Sequence, residues 1–455
     1  MISEAFLLKK KKLSTQTKTP PTFAFFAVSM NFDRTIEPTL RAIEKIELLP
    51  VNKFSFTNGL SAHIINAGEQ DVIKLELVFK AGRMHENAKG VAAAVSQLLR
   101  DGTSKHSSKE ISETFDFYGA SINTQAFIDT SSVTLYTLNK HLSKLLPLLK
   151  EVLTDAVFPK KELDTYIQNN KQKLLVNLEK VEFLSQRKFT SSLFGENHPI
   201  GYTTNDVDLN NISVDLLKQF YEARFQPQYC TAIISGRVAD ETVKLIEEFF
   251  GNDIISETKI TSLSANLIPT PGNEHYEFKT DAVQSAIRIG KRFINRRHAD
   301  YQKVKVMNMI FGGYFGSRLM SNLREDKGYC YGVYSSVASF LNDGYLCIAA
   351  EVNADSTMDA VAQIKHELKL LCNERVTEEE LTLVKNYIMG TILSDTDGPF
   401  NVSEIVKSLV VYDLDLSEFQ KGISDMMSST SSDILSLANK YFVSDSMIDV
   451  IVGKK

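Results

Sequence analysis

F-G-G-Y-F-G-S-R-L-M-S-N-L-R-E-D-K-G-Y-C-Y-G-V-Y-S, running from Phe311 to Ser335, contains a helix, its stop and a strand in one stretch. Ser317 to Lys327 reads as a helix ending at Gly328, and Tyr329 to Ser336, rich in aromatic and β-branched residues, reads as the strand that follows. Gly312, Gly313 and Gly316 precede the helix. They do not form a phosphate cradle, because no G-K-[ST] follows and no helix opens after a strand; close packing of helix on strand accounts for them. Arg324 falls near the helix end and Tyr331 seven positions later. One reading has Arg324 complementing the helix dipole and Tyr331 lying along the strand with its hydroxyl at the surface. The other has a guanidinium and a phenol donating together to a peptide carbonyl.

Outward from this stretch the same order of elements occurs twice. On either side lie a strand from Ser285 to Gly290 and a helix near Tyr301 to Ile310, then a strand from Gly344 to Val352 and helices at about Ser356 to Leu371 and Thr377 to Leu393. Earlier in the chain, F-S-F-T-N-G-L-S-A-H-I-I from Phe54 signals a hairpin, with Asn58-Gly59 expected as a type I′ turn. A strand from Ile73 to Lys80 follows, then helices Gly90 to Leu99 and Ser108 to Tyr118, the latter ending at Gly119. Strands Ser121 to Phe127 and Ser132 to Leu138 come next, and helices Leu142 to Leu153 and Lys160 to Leu178 complete the unit. F-Y-G-A-S-I-N and D-K-G-Y-C-Y-G occupy equivalent places, as do K-K-E-L and E-E-E-L, so the chain reads as two copies of one design. Ser256 to Glu274, with Pro269, Pro271 and Gly272, reads as a linker. The expected organisation is an N-terminal extension over 1–49, partly disordered, a domain over 50–255, a linker over 256–275 and a domain over 276–455. The fold class is α+β: two homologous-looking α/β sandwich domains, each a largely antiparallel sheet covered by helices.

The first copy carries G-V-A-A-A-V-S-Q-L-L-R-D-G-T between Gly90 and Thr103. Read from its residues alone, this is an alanine-rich amphipathic helix that packs through small side chains. Its flanks, and the Phe311 to Ser335 segment almost position by position, resemble the pitrilysin/insulinase family of zinc peptidases, the inverzincins, which include the mitochondrial processing peptidases. In that family H-x-x-E-H places two histidines one helical turn apart on one metal, with the glutamate as base. The corresponding positions here are Ala93, Ser96 and Gln97. The family's third ligand, a glutamate on a later helix after a segment resembling Phe158-Pro159-Lys160-Lys161-Glu162-Leu163, falls at Lys173. Alanine offers no donor atom, serine and glutamine are poor zinc ligands, and an ammonium repels a cation. All four positions are therefore degenerate, and no metal or catalytic residue is expected in this chain. Arg324 and Tyr331 match the family's substrate-binding pair in spacing and context.

The resemblance implies a noncatalytic, substrate-binding subunit of a heterodimeric zinc peptidase. Zinc would reside in a sister subunit carrying H-x-x-E-H, the substrates would be unfolded or extended peptides, and the chain alone would have no peptidase activity, with a homodimer possible in isolation. A structural or scaffold protein without proteolytic role is the alternative, followed by an active metallopeptidase with unconventional ligands.

Composition agrees with a folded chain. Its 455 residues exceed one compact core, and 43% hydrophobic and 24% charged residues lie in the globular range. A net charge of -5 gives no bulk attraction for nucleic acid. Cys230, Cys330, Cys347 and Cys372 are scattered without a C-x-x-C pair, and no disulfides are expected. Lys9 to Lys12, Pro20-Pro21 and the apolar Thr22 to Val28 do not form a secretory signal, because S-T-Q-T-K-T-P-P intervenes between the charges and the apolar patch. No stretch is long enough to span a membrane, and the subunit type that the resemblance implies, together with the missing export signal, gives the expectation of a cytoplasmic protein of bacterial type.

Overall fold

The computed structural model describes residues 35–36, 43, 45–252, 274–443 and 446–454. The basic run, the apolar patch and the linker through residue 273 lie outside these. The first half contains β1 (Asn52–Ser55), β2 (Ser61–Asn66), β3 (Val72–Phe79), α1 (Val91–Leu98), α2 (Ser108–Phe117), β4 (Ser121–Ala126) and β5 (Ser131–Leu138). It continues with α3 (Asn139–Thr154), α4 (Lys160–Leu178), α5 (Val181–Phe194), α6 (Asp206–Asn211), α7 (Val214–Arg224), β6 (Cys230–Gly236) and α8 (Asp240–Phe250). The second half contains β7 (Glu274–Phe278), β8 (Gln284–Arg292), α9 (Tyr301–Asn308), β9 (Cys330–Ser339), β10 (Gly344–Asn353), α10 (Thr357–Asn373), α11 (Glu378–Asp395), α12 (Gly398–Val411), α13 (Ser417–Met427), α14 (Ser431–Tyr441) and β11 (Ile448–Gly453).

The sheets show the repetition directly. Their strand orders are β1-β2-β6-β3-β5-β4 and β7-β11-β8-β10-β9. Leaving aside β1, each half places its last strand second in the sheet, parallel to its first strand and antiparallel to its second. All remaining pairings are antiparallel. Gly119 and Gly328, which end the second helical segment of each half, share a left-handed backbone with φ of 62° and 65°. Each half is thus an α/β domain built on a mixed, mostly antiparallel sheet.

Both units extend beyond the helices expected to close them. After Leu178 come α5 to α8 with β6, and after Leu393 come α12 to α14 with β11. The hairpin turn also differs from expectation. Only Gly59 has positive φ (85°), with Phe56 N donating to Leu60 O and Gly59 N to Phe56 O, the pattern of a type I turn closed by a glycine bulge rather than type I′.

One face of each sheet is covered by its own helices. Ile73, Leu75, Leu77 and Phe79 of β3 share one core with Val91, Ala94, Val95 and Leu98 of α1, and Ile287 and Ile289 of β8 share another with Val304 and Met307 of α9. The opposite faces are covered reciprocally. From the first half, α5 places Phe189, Leu193 and Phe194 against Cys347, Val450 and Val452 of the second sheet. From the second half, α12 places Val402 and Val406 against Ile65, Val78 and Ile233 of the first. Gly290 permits the first contact, since a Cβ there would lie 2.9 Å from the Phe189 ring and 1.9 Å from Leu346 O. The second carries a buried charge network: Lys74 Nζ lies 2.9 Å from Glu76 and donates to Ser403 at 3.0 Å, Lys407 Nζ lies 2.9 Å from Glu76, and Glu404 pairs with both lysines. Buried charges persist only when paired in this way. Ile46 is buried, and Gln420 Nε2 donates to its carbonyl at 2.7 Å.

Candidate functional site

The N-terminus of α1 is held by groups away from its open face. Gly90 starts it with φ of 87°. Glu86 Oε2 accepts from Ala92 N at 3.2 Å, and Tyr202 Oη accepts from Gly90 N at 3.1 Å while donating to Glu86. Arg83 lies over the Tyr202 ring, 4.0 Å from its centroid, and donates to Tyr202 O at 2.8 Å. Burial pushes the Glu86 carboxyl above its ordinary range despite the hydrogen bonds from Tyr202 and Ala92.

Ala93 and Gln97, one turn apart on this helix, are exposed on the face turned away from the sheet. Ser96 is 2% exposed and donates to Ser131 Oγ at 3.1 Å, which donates in turn to Ala81 O at 2.7 Å. α4 packs alongside α1, and its Lys173 is exposed, without a hydrogen-bond or ion-pair partner among the described residues. A methyl group, a hydroxyl committed to the sheet, a neutral amide and an ammonium do not suit a zinc ion. Among the described residues no group of three His, Cys, Asp or Glu side chains is arranged to hold a metal.

Arg324 and Tyr331 are brought together. The guanidinium carbon lies 5.1 Å from the Tyr331 ring centroid and 4.5 Å from that of Phe315. Tyr331 is 85% exposed and Phe315 57% exposed. The Arg324 guanidinium lies over both rings and has no hydrogen-bond partner among the described residues. By contrast, Arg318 forms a bidentate pair with Glu380 at 2.8 and 2.7 Å, tying the segment before Arg324 to the start of α11. Two π-helical stretches occur here, Met309–Gly313 and Met320–Asp326, the second carrying Arg324. Such wide turns are rare and concentrate at functional positions. Gly312 packs closely against the strand, as expected, since a Cβ there would come 2.8 Å from the side chains of Leu319 and Ser335, whereas Gly313 and Gly316 face Met309 and Tyr314 of their own segment. Phe315 was not singled out from the sequence. Its one signal there is a large aromatic residue inside a glycine-rich loop.

The basic cluster from Lys291 to His298 serves as internal fastening. Arg292 pairs with Asp343, Arg296 donates to Ser408 at 2.8 Å, and Arg297 pairs with Asp413 at 2.8 Å. Lys291 donates to Ser446 at 2.9 Å. All four cysteines are free thiols. Among the described residues no helix is long and apolar enough to cross a membrane.

Comparison with known proteins places these features in a family context. The profile "Insulinase (Peptidase family M16)" matches residues 63–198, and "Peptidase M16 inactive domain" matches residues 211–388. A Bacillus subtilis protein named as the uncharacterized zinc protease YmxG is 24% identical over 349 residues, covering 75% of this chain and 84% of that protein. A Helicobacter pylori protein named as the non-peptidase homolog YmxG is 24% identical over 328 residues, covering 70% of this chain and 74% of its own length. The solved structure of a peptidase M16 inactive domain from Pseudomonas fluorescens superposes with a TM-score of 0.80 at 22% identity, covering 90% of this chain and 99% of its own.

Proposed function

The chain belongs to the M16 (insulinase) peptidase family as a two-domain member, and from that premise we propose that it is the noncatalytic, substrate-binding subunit of a heterodimeric zinc peptidase. The observation that carries this reading is the Arg324 guanidinium, set over the Phe315 and Tyr331 rings without a hydrogen-bond partner among the described residues, in a chain whose degenerate zinc positions do not suit the ion. With no partner of its own, Arg324 can offer its N–H groups to a peptide carbonyl while the Tyr331 hydroxyl supplies a neighbouring donor. Holding an extended peptide by its backbone orients the bond to be cut. Zinc and the proton-handling glutamate would come from a sister chain carrying H-x-x-E-H. The Helicobacter relative named as a non-peptidase homolog supports a chain without hydrolytic chemistry of its own.

The test is cleavage of a mixed peptide library by this chain, by a candidate sister subunit, and by the two together. Chelator-sensitive cleavage is expected only in the mixture. Arg324→Ala should lower turnover by the pair by about tenfold or more while leaving assembly intact. Unchanged turnover removes the assigned role. The same relative's name also fits a second reading, a purely structural subunit, for which extended peptides should show no affinity for the isolated chain.

A further inference from the structure

α12 lies over β2 and β6 and leaves the β5–β4 end of the same sheet face open. On that face the register sets Gln125 opposite Ser132 and Asn123 opposite Thr134, with Tyr136 opposite Lys74 and Thr134 opposite Glu76, while Ile122, Val133 and Leu135 point into the core on the other side. Between this ladder and the flank of α12 is a cavity of ≈ 350 Å³, lined on the sheet side by Asn123, Gln125, Ser132, Thr134 and Tyr136. The charged residues bordering it are Lys74, Glu76, Glu404 and Lys407.

Two properties of this cavity select its ligand. Its charges cancel, because each of the two lysines is paired with both glutamates, and an ion of either sign would compete with pairs already made. Its neutral hydrogen-bonding groups, by contrast, are open. Ser132 and Thr134 are only 6% and 8% exposed, yet neither hydroxyl has a hydrogen-bond partner among the described residues. The amides of Asn123 and Gln125 and the hydroxyl of Tyr136 likewise have none among those residues. Every one of these groups both donates and accepts. Facing side chains on neighbouring strands stand about 5 Å apart, a span that hydroxyls across one six-membered ring can match. Water held on such a ladder is displaced without loss only by groups that reproduce its hydrogen bonds, which disfavours an apolar occupant. Tyr136, whose ring meets Phe400 at 5.7 Å, adds an aromatic wall for the C–H side of such a ring.

We propose that this cavity binds a neutral polyhydroxylated ligand of one-ring size, a monosaccharide or cyclic polyol, with its hydroxyls shared among Asn123, Gln125, Ser132 and Thr134 and its ring against Tyr136. The volume lies at the small end of ligand pockets, which suits a single ring. This site is separate from Arg324 and Tyr331, and its test needs no second subunit.

The full chain is titrated with glucose, galactose, mannose and myo-inositol, with cyclohexylmethanol as the probe lacking the hydroxyl array and with glucuronate and glucosamine as charged counterparts. Binding is followed by ligand-observed NMR. At least one of the neutral polyols is expected to bind saturably in the millimolar range, about fivefold or more tighter than cyclohexylmethanol and both charged probes. Thr134→Val keeps the side-chain shape without the hydroxyl, and Asn123→Ala alters an exposed position of the edge strand. Each should weaken that binding about fivefold, with folding checked by circular dichroism. No saturable binding of any neutral polyol, tighter binding of a charged probe or of cyclohexylmethanol than of every neutral polyol, or binding unchanged by both substitutions overturns the proposal.

Discussion

The two halves share one strand topology, one helix order and even the left-handed glycine that ends the second helical segment, yet they differ in what those elements present to solvent. In the first half α1 is a regular helix, fixed at its N-terminus by Glu86 and Tyr202, with Ala93 and Gln97 outermost. In the second half the corresponding region twice widens into π-helix and supports Arg324 beside the Phe315 and Tyr331 rings. The difference shows that the groups holding these helices in place are not the groups displayed on their open faces. The side chains on such a face can therefore change without disturbing the groups that hold the helix beneath it.

Four experiments press on that contrast. The largest effect is expected from rebuilding the first half: Ala93→His, Gln97→His and Lys173→Glu together should make the chain retain zinc through dialysis, a gain on the order of a thousandfold or more by metal analysis. Failure to bind would mean that the frame itself has drifted. The second concerns the reciprocal covers. Phe189→Ala should cost about 3–5 kcal/mol in urea unfolding, because a fully buried ring is removed, and Val406→Ala on the opposite cover should cost less. A Phe189→Ala loss below that of Val406→Ala would contradict the packing described.

The third separates fork from charge. Arg324→Lys keeps the cation but loses the planar donor edge and the stacking, so affinity for an extended peptide should fall about tenfold with stability unchanged. Full affinity in the lysine variant would show that charge alone suffices. The smallest effect concerns Glu86. Its folded-state carboxyl titrates above the unfolded value, so the folded chain takes up the proton more readily, and the resulting stability is fully present below the unfolded value and is lost as pH rises through the folded one. Glu86→Gln should therefore be more stable than the parent by about 0.5–1 kcal/mol at about pH 8, with the gap closing towards about pH 4. A gap that widens on acidification would reverse the sign.

Much of the fold was legible because the signals were local. Gly119 and Gly328 ended helices where expected, and β3, β4, β5, β8, β9 and β10 fell within a few residues of their anticipated limits. β6 and β11 were missed because a short apolar run far from its sheet partners does not reveal that it will insert beside the first strand. The alternation Ile73-Lys74-Leu75-Glu76-Leu77 illustrates the same limit. It suggests one dry and one wet face, whereas α12 brings Lys407 and Glu404 from far along the chain to cover the charged side. At the candidate site, the pairing of Arg324 with Tyr331 could be read from spacing and context. The contribution of Phe315 could not, because it depends on how the loop folds back over the helix.

The exchange of α5 and α12 has a consequence for how the chain is made. Until residues 398–411 have left the ribosome, Ile65, Val78 and Ile233 lack the cover of Val402 and Val406, and Lys74 and Glu76 lack their ion-pair partners Glu404 and Lys407. Two repeats that look autonomous in topology thus form one cooperative folding unit of high contact order, slow to close and exposed to aggregation while incomplete. Severing the chain between Asn252 and Glu274 and expressing the pieces apart should yield two sticky fragments, and expressing them together one folded protein.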